Sequence, residues 1–187
     1  MTAGDVFRRV TAALDRANIA YMLSGSFASA YYGAARATQD IDFVIEATPA
    51  RLEALRQELP QSEYYVDLIA LLEAHRQQSL FNVIDLATGW KIDLIFRKAR
   101  PFSVEEFNRR RPVELHGVRL SIATAEDVIL SKLEWSKLSQ SQRQLEDVAA
   151  VLRSWRDLDR EYLKKWIQAL QLAAEWKSAV EKADLLE

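Results

Sequence analysis

The chain has 187 residues, of which 49% are apolar and 28% charged, and its formal net charge is −2. This composition predicts one domain, or one domain with a helical extension, and excludes disorder over most of the length. It also excludes a globally basic nucleic-acid-binding surface, although a local basic patch stays open. The absence of cysteine excludes disulfides, thiolate metal sites and cysteine nucleophiles.

The chain contains no apolar stretch of about 18 residues, the length that a membrane span requires. Its first residues are typical of an amphipathic helix, and no apolar core of a signal peptide follows them. We therefore expect a cytoplasmic protein without a membrane partner.

The spacing of apolar residues predicts the elements of the fold in chain order. Helices are expected at residues 4–16, 27–33, 50–59, 67–77, 103–111, 124–138 and 142–153, with one or two more within 159–186. Strands are expected at residues 19–24, 41–46, 81–86 and 91–96, and a small hairpin within 112–122. Strands thus concentrate before residue 122 and helices after it, which predicts an α/β (α+β) fold with a mixed sheet flanked by helices. We expect a core of residues 1–122 and a helical C-terminal region of residues 123–187.

Two aspartates stand in the second predicted strand. Asp40 and Asp42 are separated by one residue, so in a strand their side chains point to the same face. Adjacent carboxylates repel each other and are costly to desolvate, so such a pair usually binds a cation. A hard divalent ion with oxygen ligands, Mg²⁺ above all, suits them. The alternative is a solvated strand end with two polar residues that face water.

A third aspartate, Asp93, lies in a later apolar strand, where an unpaired carboxylate would be costly. If this strand lies beside the strand of Asp40 and Asp42, three carboxylates converge, and they could hold a pair of Mg²⁺ ions for phosphoryl or nucleotidyl transfer. Lys91 faces the same side as Asp93, and neutralisation by this lysine is the alternative to metal binding. The turn at Gly25 and Ser26 precedes a short helix, whose backbone N–H groups can bind phosphate.

These motifs resemble those of the nucleotidyltransferase superfamily of the DNA polymerase β type. Its signature is a Gly-Gly or Gly-Ser turn, then D-x-D or D-x-E, then a third acid on a following strand; here these are Gly25-Ser26, Asp40-x-Asp42 and Asp93. The wider pattern is most similar to the AbiEii-type branch of small bacterial and archaeal nucleotidyltransferases. The further matching features are Gly33, Arg36-x-Thr38, residues 81–84, Gly89-x-Lys91, and residues 125–127 with Lys132-Leu133.

The sequence departs from the AbiEii pattern at two positions. Ser26 stands where that branch more often has a second glycine, and Glu146 precedes Asp147 where relatives often have lysine. The second departure leaves the role of Asp147 open.

The resemblance implies a role for each matching residue. Asp40 and Asp42 would bind Mg²⁺ or Mn²⁺ ions that carry the incoming nucleoside triphosphate, with ATP among the candidates, and Asp93 would complete the second ion site and help to deprotonate the acceptor. Gly25 and Ser26 would contact the β- and γ-phosphates, and Lys132 would reach the triphosphate as a cation, unless it is an ordinary surface lysine. Arg36 would contact phosphate or pair with the carboxylates.

The function that these features favour is metal-dependent transfer of a nucleoside monophosphate from an NTP to a hydroxyl. The acceptor could be a protein side chain, a tRNA 3′ end or a small molecule. The AbiEii branch implies a toxin–antitoxin or phage-defence role, with a cognate toxin or antitoxin as partner. The alternative is a catalytically silent nucleotide-binding or antitoxin module of the same fold. A purely structural protein would leave Asp93 unexplained.

Overall fold

The computed structural model describes residues 2–184, so the predicted end of the last helix at Leu186 lies outside the described residues. The described residues divide into two compact units, one formed by residues 2–24 and 37–122 and the other by residues 25–36 and 123–184. The division into a core of residues 1–122 and a helical region of residues 123–187 stays a prediction.

The first unit contains a mixed sheet, which in the described part of the chain has seven strands in the order β3-β4-β5-β2-β1-β7-β6. The strands are β1 (Ala20–Leu23), β2 (Asp40–Glu46), β3 (Tyr64–Tyr65), β4 (Leu80–Asp85), β5 (Lys91–Phe96), β6 (Arg111–Leu115) and β7 (Val118–Ile122). β2 runs parallel to β5 and β1 parallel to β7, whereas the other neighbours are antiparallel. The predicted class, a mixed sheet with flanking helices, is confirmed.

Four helices belong to the first unit in the described residues: α1 (Ala3–Arg16), α3 (Pro49–Glu58), α4 (Leu68–Arg76) and α5 (Pro101–Arg109). Side-chain caps fix the starts of three of them. Thr2 and Asp5 form a capping box at α1, and Thr48 and Asp67 accept backbone N–H groups at the starts of α3 and α4.

One face of the sheet is apolar because alternate residues of each strand turn to it. Ile41, Phe43 and Ile45 of β2 are fully buried. Phe7 of α1 packs edge-on against Phe43, with ring centroids 6.3 Å apart. The opposite face of β2 carries Asp40 and Asp42, so burial of the apolar face determines where the two acids point.

The second unit consists of helices: α2 (Gly25–Tyr31), α6 (Ala125–Ser139), α7 (Gln142–Ser154), α8 (Arg160–Ala169) and α9 (Ala173–Lys182). The Tyr32 hydroxyl donates to the Ala123 carbonyl at 2.8 Å and ties the end of α2 to the start of α6. Gly33 follows α2 with a φ of +112° and lies against Ser154 at the end of α7. Its missing side chain is what allows this approach.

Some sequence predictions require correction. The short edge strand β3 was not predicted, and α2 begins at Gly25 instead of Phe27. Arg111 belongs to β6 and not to the preceding helix. β3 could not be predicted because it depends on its pairing with β4, a non-local interaction. The start of α2 at Gly25 was missed because glycine has a low helix propensity.

Candidate active site

The acidic cluster of the first unit consists of Asp40, Asp42 and Asp93, and the register of two parallel strands brings it together. In the β2–β5 ladder, Asp42 lies directly opposite Asp93, and Asp40 lies opposite Lys91. The two acidic strands are neighbours, which meets the condition under which the three carboxylates converge. Asp40 is exposed and Asp42 is half-buried, whereas Asp93 is only 7% exposed.

The strands also orient the side chains of the acidic cluster. The Thr38 hydroxyl accepts the backbone N–H of Asp40 at 3.1 Å and fixes the start of β2. Asn82 of β4 lies opposite Asp93, and its side-chain amide donates to Asp93 Oδ1 at 2.6 Å. The hydrogen bond from Asn82 thus offsets part of the desolvation cost of the buried Asp93 carboxylate.

Lys91 is a cation that contacts two members of the acidic cluster. Its Nζ lies 3.4 Å from Asp93 Oδ2 and 3.7 Å from Asp40 Oδ1. Partial burial by itself lowers the pKa of Lys91, but the negative charges of Asp93 and Asp40 outweigh burial, and the pKa is raised above its ordinary value. The carboxylates of two strands therefore already converge on one positive charge.

The donor chemistry of the acidic cluster suits a hard divalent cation, since all three side chains offer carboxylate oxygens. Across residues 2–184, however, no group of three or more histidine, aspartate or glutamate side chains is arranged as a set of metal ligands. The ammonium of Lys91 lies against two of these three carboxylates. The residues fit the ion in kind and in strand register.

The ion network of the second unit consists of Ser26, Arg36, Lys132, Gln144 and Asp147. Lys132 Nζ donates to Asp147 Oδ2 at 2.7 Å and to Gln144 Oε1 at 3.1 Å. Arg36 Nε donates to the same Asp147 oxygen at 3.2 Å, and its Nη2 contacts the Ser26 hydroxyl. Two cations thus share one carboxylate.

The burial of this network was not foreseen from the sequence. Lys132 is 4% and Asp147 6% exposed, so Lys132 is not a surface lysine. Arg36 pairs with Asp147, a carboxylate that sequence reasoning left without a role. Gly25 begins α2 with a φ of +60°, a conformation that suits glycine.

Sequence reasoning also assigned no role to Asn82. A signal existed, since Asn82 occupies a polar position on the exposed face of β4, and the predicted hairpin between β4 and β5 places it near Asp93. Asp147 had no such local signal, because its partners Arg36 and Lys132 are 111 and 15 residues away in the chain.

Comparison with known proteins identifies the class of fold. No protein-family model and no curated protein matches the chain. Solved structures with the same fold are nucleotidyltransferases and nucleotidyltransferase-like proteins, so the fold is of the nucleotidyltransferase type.

Three of these structures are similar over nearly the whole chain. The solution structure of the antibiotic-resistance factor ANT(2″)-Ia has a TM-score of 0.59 at 13% identity and covers 93% of this chain and 95% of that chain. The crystal structure of ANT(2″)-Ia with adenylyl-2″-tobramycin has a TM-score of 0.60 at 14% identity, over 91% and 98% of the two chains. An antigenic nucleotidyltransferase-like protein from Paracoccidioides brasiliensis has a TM-score of 0.58 at 16% identity, over 96% and 92%. At these identities the likeness shows the fold alone.

Within the described residues, the helices are too short or too polar for any of them to cross a membrane.

Proposed function

We propose that the chain is a metal-dependent nucleotidyltransferase that moves a nucleoside monophosphate from an NTP to a hydroxyl group. The observation that carries this proposal is the β2–β5 register, which pairs Asp42 with Asp93 on the face where Asp40 and Asp93 already share a cation. The nucleotidyltransferase-type fold supports the same reaction.

In this proposal Asp40, Asp42 and Asp93 hold the ions, Mg²⁺ or Mn²⁺. Bound there, the ions would neutralise charge on the triphosphate and lower the pKa of the attacking hydroxyl. The acceptor oxygen forms a bond to the α-phosphorus, the bond from that phosphorus to the β-phosphate bridge breaks, and pyrophosphate leaves. The hydroxyl proton would pass to the Asp93 carboxylate, which Asn82 orients through Oδ1.

The resemblance assigns four further residues to the triphosphate. Gly25 and Ser26 are assigned to the β- and γ-phosphates by resemblance, and Arg36 and Lys132 provide the positive charge. The support for these assignments is that Arg36 contacts the Ser26 hydroxyl and shares the Asp147 carboxylate with Lys132. A guanidinium and an ammonium are the groups that proteins use for phosphate.

The acceptor belongs to one of three classes: a protein side chain, a tRNA 3′ end or a small molecule. The complex of ANT(2″)-Ia with adenylyl-2″-tobramycin supports the third class by analogy of fold. A toxin–antitoxin or phage-defence role in the cytoplasm, with a cognate partner, rests on the resemblance to the AbiEii branch.

One observation favours the alternative, a catalytically silent nucleotide-binding or antitoxin module. Lys91 contacts Asp40 and Asp93 and neutralises part of the acidic cluster without any metal. In a silent module this pairing would be permanent.

The experiment that tests the proposal is label transfer from each α-³²P NTP, with Mg²⁺ or Mn²⁺, into pools of cellular RNA, protein and small molecules. The control is the Asp40→Asn/Asp42→Asn double variant. Label that enters one pool and is lost in the double variant supports the enzyme and identifies the acceptor class. Equal label with both proteins contradicts the assignment of these aspartates, and an absence of label from every pool favours the silent module.

A further inference from the structure

Lys91 occupies the point at which the acidic cluster converges. It is the first residue of β5, directly opposite Asp40 and two residues before Asp93 on the same face of the sheet. Its Nζ lies 3.7 Å from Asp40 Oδ1 and 3.4 Å from Asp93 Oδ2. A divalent cation that binds these two carboxylates would therefore compete with the ammonium of Lys91 for the same oxygens.

Asp93 shows which of its contacts is fixed and which can be exchanged. Its Oδ1 accepts from the amide of Asn82, which lies opposite it on the neighbouring strand. Its Oδ2 contacts Lys91. Asn82 is short and its backbone is held in the sheet, whereas Lys91 has a flexible four-carbon stem and a side chain that is 41% exposed. Lys91 can therefore leave the cluster for solvent while Asn82 keeps Asp93 oriented.

We infer that Lys91 is a resident counter-ion of the acidic cluster, which a divalent cation has to displace, so that Lys91 sets the metal concentration at which the site fills. This inference rests on the proposed function, because it takes the acidic cluster to be the metal site. The exchange favours the metal at sufficient concentration, since a divalent ion carries twice the charge of the ammonium. Without metal, Lys91 relieves the repulsion between the carboxylates.

The sign of the effect separates this role from a structural one. If Lys91 competes with the metal, removal of its charge strengthens metal binding. If Lys91 instead supports the geometry of the carboxylates, the same removal weakens metal binding. We expect Lys91→Met to lower the Kd for Mn²⁺ about tenfold, the order of magnitude for one elementary charge close to a divalent ion at a partly solvated site.

The test is Mn²⁺ binding to the full chain without nucleotide, with free Mn²⁺ measured by electron paramagnetic resonance. The variants are Lys91→Met, Lys91→Arg and, as a matched control, Lys98→Met, which removes the same charge from an exposed position after the other end of β5. We expect Lys91→Arg and Lys98→Met to stay within about twofold of the wild type, because the first keeps the charge and the second acts through solvent.

The outcomes distinguish this inference from the proposed function. Tighter binding by Lys91→Met alone supports the inference. The inference is overturned if the wild type binds Mn²⁺ and Lys91→Met binds it no more tightly. It is also overturned if Lys98→Met tightens Mn²⁺ binding as much as Lys91→Met does. Either result leaves the proposed metal site standing. An absence of Mn²⁺ binding to both the wild type and Lys91→Met, each with native circular dichroism, overturns the proposed metal site and the inference together.

Discussion

The ion network of the second unit gives a sharp prediction for Asp147→Asn. The substitution keeps the shape of the side chain and removes its charge. Asp147 Oδ2 accepts hydrogen bonds from Lys132 Nζ at 2.7 Å and from Arg36 Nε at 3.2 Å. After the change Lys132, only 4% exposed, keeps the Gln144 carbonyl at 3.1 Å but loses its ion-pair partner Asp147. The variant therefore leaves a buried ammonium without this counter-charge.

The expected magnitude follows from the burial of the pair. Removal of one partner of a buried ion pair costs about 3–5 kcal/mol. The remaining Gln144 contact places Asp147→Asn at the lower end, about 3 kcal/mol, a large part of the stability of an ordinary domain. Lys132→Met should cost less, about 1 kcal/mol, because Arg36 still pairs with Asp147 and the methionine keeps the apolar stem.

The assay is urea denaturation of the wild type, Asp147→Asn, Lys132→Met and the double variant, followed by circular dichroism. Because the two side chains are in contact, we expect the double variant to be more stable than the sum of the single effects predicts, with a coupling of about 2 kcal/mol. A loss of unfolding free energy under about 1 kcal/mol for Asp147→Asn would show that the buried ion pair does not stabilise the protein as proposed. Single effects that simply add would show that the two side chains are not coupled.

Two further predictions concern stability. Burial, and then the nearby Asp15 carboxylate, raises the pKa of Tyr21 from 10.0 to about 12. Above pH 10 the Tyr21 hydroxyl therefore ionises more readily in the unfolded chain than in the folded protein. The free energy of unfolding should then fall between pH 10 and pH 12 more steeply in the wild type than in Tyr21→Phe. Parallel pH profiles of the two proteins would contradict this. Gly33→Ala would place a Cβ 2.3 Å from the Ser154 Cβ at a φ of +112°. It should cost about 2–4 kcal/mol, against about 1 kcal/mol for Gly89→Ala, which has a positive φ but open space; equal losses on denaturation would exclude the steric cause.

The acidic face of the sheet could be predicted because its pattern is local. In β2 and β5 the acids and the buried apolar residues alternate, and a strand turns alternate residues to opposite faces. The sequence therefore places Asp40 and Asp42 on one face, and shows that Lys91 and Asp93 share a face too. That β2 and β5 are neighbours was a condition of the argument, and the structure supplies it.

The parts that could not be predicted depend on contacts between distant residues. β3 has two residues, too few for a periodic pattern, and exists through its pairing with β4. The hydrogen bond between the Tyr32 hydroxyl and Ala123, 91 residues apart, helps to group residues 25–36 with the C-terminal helices. The burial of Lys132 follows from the packing of α6 against α7, which no pattern within α6 encodes.

Nucleotidyl transfer, the reaction proposed for the acidic cluster, moves the α-phosphorus of the NTP to the acceptor and releases the γ-phosphorus in pyrophosphate. The most direct measurement compares α-³²P with γ-³²P NTP in parallel reactions of the wild type, Asp93→Asn and Glu46→Gln. Glu46→Gln is the matched control, since Glu46 is an exposed acid on the same face of β2 and pairs with Arg97 away from the cluster. We expect α-label to enter the acceptor and γ-label to be released only as pyrophosphate. Asp93→Asn should abolish both, whereas Glu46→Gln should keep both. Full activity of Asp93→Asn, or γ-label in the acceptor, would contradict the proposed reaction.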